Sequence, residues 1–445
     1  MIQAIAALKR CDSLILLTNL CDAVATVSCK HVQDLHAIGG EDSSSMTAQL
    51  PLQDTTHTLS FLVRQFIFRC PTALRGLFIA LVLLVATPAA ALEMRVAVED
   101  GRRNINIGTS TPGVVRDNNG KTLGQMPAMG GVAAKSNAGK VQLGQWKTGS
   151  IWVEPSNDGL VWIGDRWYRG RVRLTPSGGG LVAVNHVDLE EYLYSVVGSE
   201  MPTSWPLEAL KAQAVAARSY ALHRRAKVAN RTYDVDDTTS SQVYKGVTSE
   251  TTSTQQAVNQ TRGQVLVHNG NIIEAVFHSS SGGHTENVED IWSSPLPYLR
   301  GVVDYDQQAP VFAWSKTLSA SQLRQRITGI GNIVSMVPVA TTPHGRIRQM
   351  KVVGTSGQRT ISGNDMRNAL DLRSSLFVAQ PQGIVGAASK SNVPSGFVIS
   401  GRGFGHGLGM SQWGAYGLAA RGYNYQQILG HYYRQIALSQ IQVVQ

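Results

Sequence analysis

The chain has 445 residues, 43% hydrophobic and 16% charged, which is enough apolar material for a packed core and excludes wholesale disorder. Its 40 Lys and Arg against 30 Asp and Glu give a formal net charge of +10. The first 91 residues hold equal numbers of each sign, so the excess belongs to the remainder, where it is scattered. Outside the cytoplasm such a surface faces anionic wall polymers or lipid head groups rather than nucleic acid.

Residues 75–94 read RGLFIALVLLVATPAAALEM, with Arg64, Arg69 and Arg75 flanking a short apolar run and Ala89-Ala90-Ala91 forming a small-residue cleavage site. This is the layout of a secretory signal, and the run is too short for a comfortable membrane span of roughly 20 residues. The expectation is an exported protein of the periplasm or cell wall, with the signal either cleaved or kept as an anchor. Because a signal should begin a protein, residues 1–74 read as an upstream extension, and Met46 is a candidate start. All four cysteines (Cys11, Cys21, Cys29, Cys70) precede the cleavage point, so no disulfide framework, thiolate nucleophile or cysteine zinc site is expected after it.

From 92 to 187 the chain is strand-rich, with short runs such as MRVAVE, NINIGTS, SIWVEP and LVAVNHV separated by Gly, Asn, Pro and Ser. Val132–Gly139 is small and polar, which suggests a loose loop. At Asp188 the pattern turns helical, with Glu191 suggesting a capping box and Gly198 and Pro202 ending the helix. A second helix opens near Trp205-Pro206, its Leu207, Leu210, Ala214, Ala217, Ala221 and Leu222 forming an apolar stripe. Residues 264–277 resemble a hairpin turning at His268–Asn271. A stretch from about 310 to 381 reads as a smaller inserted α/β lobe, with helices near Ser319–Ile327 and Asn364–Leu372. After a Ser/Gly-rich linker (Gly386–Ser395) comes a glycine-rich run and a closing helix around Tyr425–Tyr433. The fold class is α+β, with segment 188–434 as the functional domain.

Three segments carry chemistry. Glu200 lies at a helix end beside Val196, Val197 and Met201, where partial desolvation raises a carboxyl pKa toward general-acid work; the alternative is an exposed last-turn glutamate. His278–Thr285 (HSSSGGHT) combines hydroxyls with two glycines and suits sugar or carboxylate recognition. Its His278 and His284 could ligate a metal only with help from Glu286, Glu289 or Asp290, and the spacing matches no strong zinc pattern, so no metal is expected. Residues 401–414 (GRGFGHGLGMSQWG) place glycine at every second position from 401 to 409, a pattern for close backbone approach, with Phe404 and His406 on one side if the run is extended. No dinucleotide fingerprint, phosphate loop, GxSxG elbow or HExxH helix is present, and no cofactor is expected.

In this order, residues 189–222 (LEEYLYSVVGSEMPTSWPLEALKAQAVAARSYAL), 238–247 (TTSSQVYKGV), 277–292 (FHSSSGGHTENVEDIW), 372–377 (LRSSLF) and 401–422 resemble the SpoIID/LytB family. The resemblance implies a lytic transglycosylase acting on peptidoglycan glycan strands stripped of their stem peptides. It implies Glu200 as catalytic acid/base, and Ser281, Gly282, Gly283, His406, Ser411 and Gln412 as lining the same substrate cleft. It also implies a competing role, that of a glycan-binding enhancer of a cell-wall amidase. Some family members hold zinc with cysteines near the SGG loop, and this chain has none there.

Overall fold

The computed structural model describes residues 92–228, 232–292, 294–384 and 393–441; the expected signal, the extension before it and most of the Ser/Gly-rich linker lie outside the described residues. The architecture is α+β. A seven-stranded sheet runs in the order Val235–Asp236, Glu93–Arg102, Gly180–Asp188, Arg171–Ser177, Ile151–Pro155, Gly113–Asp117 and Thr122–Met126. A six-stranded sheet contributes to the same core through Ile105, Ile107, Ala134, Val141 and Leu143. Residues 132–139 depart from the expected loop: Gly131–Asn137 is a strand, closed by a turn with Ala138 and Gly139 at positive φ. Its own alternation is weak, but Asn104–Thr109 and Lys140–Leu143 supply backbone partners on both edges, and Ala134 is fully buried.

Strand Gly180–Asp188 is buried along nearly its whole length and leads directly into helix α1 (Leu189–Glu200). The Asp188 carboxylate accepts from the Glu190 and Glu191 backbone N–H groups, which fixes where α1 begins. The helix passes through Gly198, expected as its end, because a Cβ there would collide with Ser249 O and glycine lets the helix lie against that carbonyl. Helix α2 (Leu207–Lys227) starts after Pro206 and is buried on all sides from Ala212 to Leu222, rather than along one stripe. Its alanines allow neighbours to approach from every direction. Helix α3 (Thr252–Gln260) packs on both α1 and α2. Gln264–His268 and Asn271–Ile272 form the expected hairpin, with Asn269 and Gly270 at positive φ in the turn.

One charged pair sits inside this helical layer. Arg218 of α2 is fully buried, donates to both carboxylate oxygens of Glu190 on α1, and reaches the carbonyl of Gln264. Glu190 also accepts from Gly263 N–H at 3.0 Å, so two helices and the hairpin share one ion pair.

A single turn α4 (Val288–Ile291) precedes a second hydrophobic core built around Leu318, Leu323, Met350, Met366, Phe397 and Ile399. It is enclosed by two three-stranded sheets with helices α5 (Ala320–Arg326) and α6 (Gly363–Leu370). Phe397 and Ile399 belong to strand Pro394–Arg402, the middle strand of its sheet, so this core extends past the 310–381 boundary read from the sequence. Helices α7 (Gln412–Ala419) and α8 (Tyr425–Tyr432) return to pack on α2.

Arg218→Met leaves Glu190 buried without its cation, and the expected loss is about 3–5 kcal/mol of unfolding free energy, read by denaturant titration.

Candidate active site

Glu200 is the last residue of α1, and two chain segments meet its carboxylate. Oε1 accepts the Val243 backbone N–H at 2.8 Å, and Oε2 accepts from the Gln412 side-chain amide at 3.3 Å. Burial pushes the carboxyl above the usual glutamate range; the two hydrogen bonds and the nearby Lys245 cation offset this only in part. The carboxyl therefore favours the protonated form more than an exposed last-turn glutamate does.

The Val243 donor is fixed by its neighbours. Gln242 is fully buried, accepts from Tyr192 OH and donates to Ala217 O, while Tyr244 OH donates to Asn185 Oδ1. Gln242 and Tyr244 thus point into the core, and Val243 and Lys245 lie on the outer side of the segment. A backbone donor leaves no side-chain signature, so the sequence could flag this contact only through the buried–exposed alternation of QVYK. Gln412 opens α7, and the Ser411 hydroxyl caps that helix by accepting from Gly414 N–H at 3.1 Å.

The serine–glycine loop and the glycine run interlock. Ser280 and Phe404 exchange backbone hydrogen bonds of 3.0 and 2.8 Å, and Phe277–His278 pairs in parallel with Met410–Ser411. Gly403, Gly405, Gly407 and Gly409 all adopt positive φ, so the run is not extended. Phe404 and His406 consequently do not share a side: Phe404 is exposed, whereas the His406 ring packs near His278 and Trp292. The space against Gly407 is taken by the guanidinium of Arg346, which is fully buried and donates to Ser281 O and Gly405 O.

Behind the loop lie two buried carboxylates that the sequence reading missed. Asp304 accepts from Ser281 OH, Tyr432 OH and Tyr305 N–H; Asp306 accepts from Ser280 OH and Gly282 N–H. Burial and the neighbouring Asp304 push Asp306 upward. Two aspartates alternating in the apolar context GVVDYD were the available clue.

Of the residues expected to line the cleft, Gln412 alone among them bonds to Glu200. Ser281 and Ser411 are fully buried, with their hydroxyls committed to Asp304 and to the α7 cap. Gly282 is buried against Arg402 and Gly403, and Gly283 is partly exposed beside Phe312. His406 is saturated by backbone: Nε2 meets Phe277 O at 3.0 Å and Nδ1 accepts from Leu408 N–H, with burial lowering its pKa to about 4. The hydroxyls of Ser281 and Ser411 and both ring nitrogens of His406 are thus taken up by the protein itself.

His278 and His284 do not converge. His278 bonds Leu408 O and is held well below its usual pKa by burial, while His284 stacks on His344 with ring centroids 3.5 Å apart. Among the described residues no three His, Cys, Asp or Glu side chains gather as a metal site.

A layered β-structure feeding a helix that ends on one desolvated carboxyl, held by a main-chain N–H and a glutamine, defines a single-carboxyl site. A sequence model described as Stage II sporulation protein matches residues 177–268, and one described as a domain of unknown function (DUF8618) matches 299–409. An uncharacterized protein of Brachyspira hyodysenteriae is 34% identical over 296 residues, 66% of this chain and 77% of that protein. Stage II sporulation protein D of Bacillus subtilis is 34% identical over 283 residues, 58% of this chain and 76% of its own length. The amidase enhancer of Bacillus subtilis is 32% identical over 353 residues, 67% of this chain and 48% of its own length. The chain belongs to the SpoIID/LytB family.

At Gly414 a Cβ would land on Asp304 Oδ1 and Tyr432 Oη. Gly414→Ala is expected to lose about 1–3 kcal/mol by overpacking. Gly430→Ala, in open space on α8, should gain up to about 1 kcal/mol. Chemical denaturation of both variants reads the contrast.

Proposed function

We propose that the chain is an exported peptidoglycan-remodelling lytic transglycosylase that cleaves the MurNAc–GlcNAc bonds of denuded glycan strands to 1,6-anhydro products. The observation that carries this reading is the chemistry available to Glu200: one carboxyl, biased toward its protonated form, whose acting charged neighbour is a lysine rather than a second carboxylate. Ordinary glycosidases use two carboxylates, one as acid and one as nucleophile or base. A transglycosylase supplies its nucleophile from the substrate and needs one protein group. Family membership and the relatives named for sporulation and for amidase enhancement support a substrate in the cell wall.

In the proposed reaction, Glu200 gives its proton to the O4 of the departing GlcNAc as the bond to muramic C1 breaks. The muramic 6-hydroxyl oxygen then bonds to C1, and its proton passes to the Glu200 carboxylate. The products are a 1,6-anhydromuramic end and a free 4-hydroxyl, with Glu200 protonated again. Gln412 and Val243 N–H hold the carboxyl in place through both steps. Export rests on the signal-like segment at 75–91, and the glycan strand is the partner.

A second reading has its own support: the amidase enhancer similarity suggests a glycan-binding protein that stimulates an N-acetylmuramoyl-L-alanine amidase without cutting glycan itself.

Glu200→Gln is expected to lower the rate of anhydro-product release by about 10²–10⁴, measured by mass spectrometry on denuded strands. Because ionising a carboxyl with a raised pKa opposes folding, the variant should be no less stable than the parent at neutral pH. If neither protein releases fragments while both stimulate an amidase, the enhancer reading stands instead. The acid must be protonated to act, so cleavage should fall as pH rises, with a midpoint above the ordinary glutamate range.

A further inference from the structure

Lys245 is the cation of the site, and nothing in the reaction as derived uses it. Its main chain is anchored, since Lys245 N–H donates to the Ser195 hydroxyl of α1 at 3.2 Å. Val243, two residues earlier, gives its own N–H to Glu200. The Gln242 and Tyr244 side chains turn into the core, and Lys245 is exposed. Among the described residues its ammonium forms no hydrogen bond or ion pair. A solvated cation with no hydrogen-bonded partner, beside a carboxyl biased toward its neutral form, is positioned for a ligand anion.

Denuded strands offer such an anion at the reacting sugar. When the stem peptide is removed, the lactyl group of muramic acid ends in a free carboxylate; when the peptide is present, the same position is a neutral amide. We propose that Lys245 is the specificity-determining residue of this site, its ammonium pairing with the lactyl carboxylate of muramic acid and so selecting strands without stem peptides. This rests on the glycan reading of the site, though not on cleavage.

The arrangement also couples recognition to chemistry. The free Lys245 cation favours ionised Glu200, the wrong form for a general acid. A bound lactyl carboxylate neutralises that cation and adds a negative charge nearby, which favours the protonated form. A peptide-bearing strand does neither. The other groups around the carboxyl do not titrate with it: Gln412 is neutral, and burial keeps Tyr192 of α1 and Tyr220 of α2 as protonated phenols.

The test compares two glycan strands, one with free lactyl carboxylates and one with the same groups converted to methylamides, using the full chain and its Lys245→Gln and Lys245→Arg variants. Binding is read by fluorescence anisotropy in a Glu200→Gln background, and cleavage by anhydro-product mass spectrometry. The parent is expected to favour the carboxylate strand by about tenfold, Lys245→Gln to bind both alike, and Lys245→Arg to keep most of the preference. The alkaline limb of kcat should also lie above that of kcat/KM on the carboxylate strand, and the gap should close in Lys245→Gln. A carboxylate preference that survives in Lys245→Gln, or one absent from the parent, overturns the inference while leaving anhydro-product release untouched. A Lys245-dependent binding preference without any anhydro product upholds it and instead removes the transglycosylase reading.

Discussion

A guanidinium shut away from water organises the half of the molecule that carries Glu200. Arg218 reaches Glu190 near the start of α1, while Glu200 stands at the other end of the same helix. Burying two charges is tolerated only where their hydrogen bonds are nearly all met, and here the hairpin supplies Gly263 N–H and Gln264 O to complete them. The pair thereby sets how α1 lies on α2 and on the hairpin, and with it where the last residue of α1 meets the 242–245 segment and the first turn of α7. The position of the Glu200 carboxyl is inherited from a contact at the other end of its helix.

Much of this was legible in the sequence because local chemistry and the fold agree. Asp188 before a helical pattern, Pro206 opening the next helix, the helical stretch near Ser319, and Asn269-Gly270 between two apolar runs each specify a boundary, and the structure realises each nearby. Glu200 was legible as well, since a carboxyl beside Val196, Val197 and Met201 at a helix end is desolvated by its own neighbours. The strand at Gly131–Asn137 was not, because its existence depends on partners on both edges rather than on its own small residues.

The motif residues were the harder part. Ser281, Ser411 and His406 have the right chemistry for a ligand, yet tertiary contacts consume their polar atoms: Asp304, a helix terminus and two backbone groups take them first. Sequence alone does not show who bonds to whom, and a hydroxyl or imidazole looks the same whether it faces substrate or scaffold. Gln412 differs because its neighbour Ser411 caps α7, leaving the glutamine amide at the mouth of the helix to reach the Glu200 carboxyl. Asp304 and Asp306 present the opposite case, being acids with no motif around them.

Arg346 belongs to the turn before strand Ile347–Gly354, within the excursion that separates the serine–glycine loop from the glycine run, yet its guanidinium ends between those two segments. The excursion is therefore not a detachable ornament. Trimming it to a short linker would strand the buried carbonyl of Ser281, remove a donor from that of Gly405, and open a hole where Gly407 now leaves room for a side chain. Any relative that dispensed with this stretch would have to rebuild the wall from other atoms, so exchange of modules between such proteins is constrained by a single side chain rather than by the domain boundary.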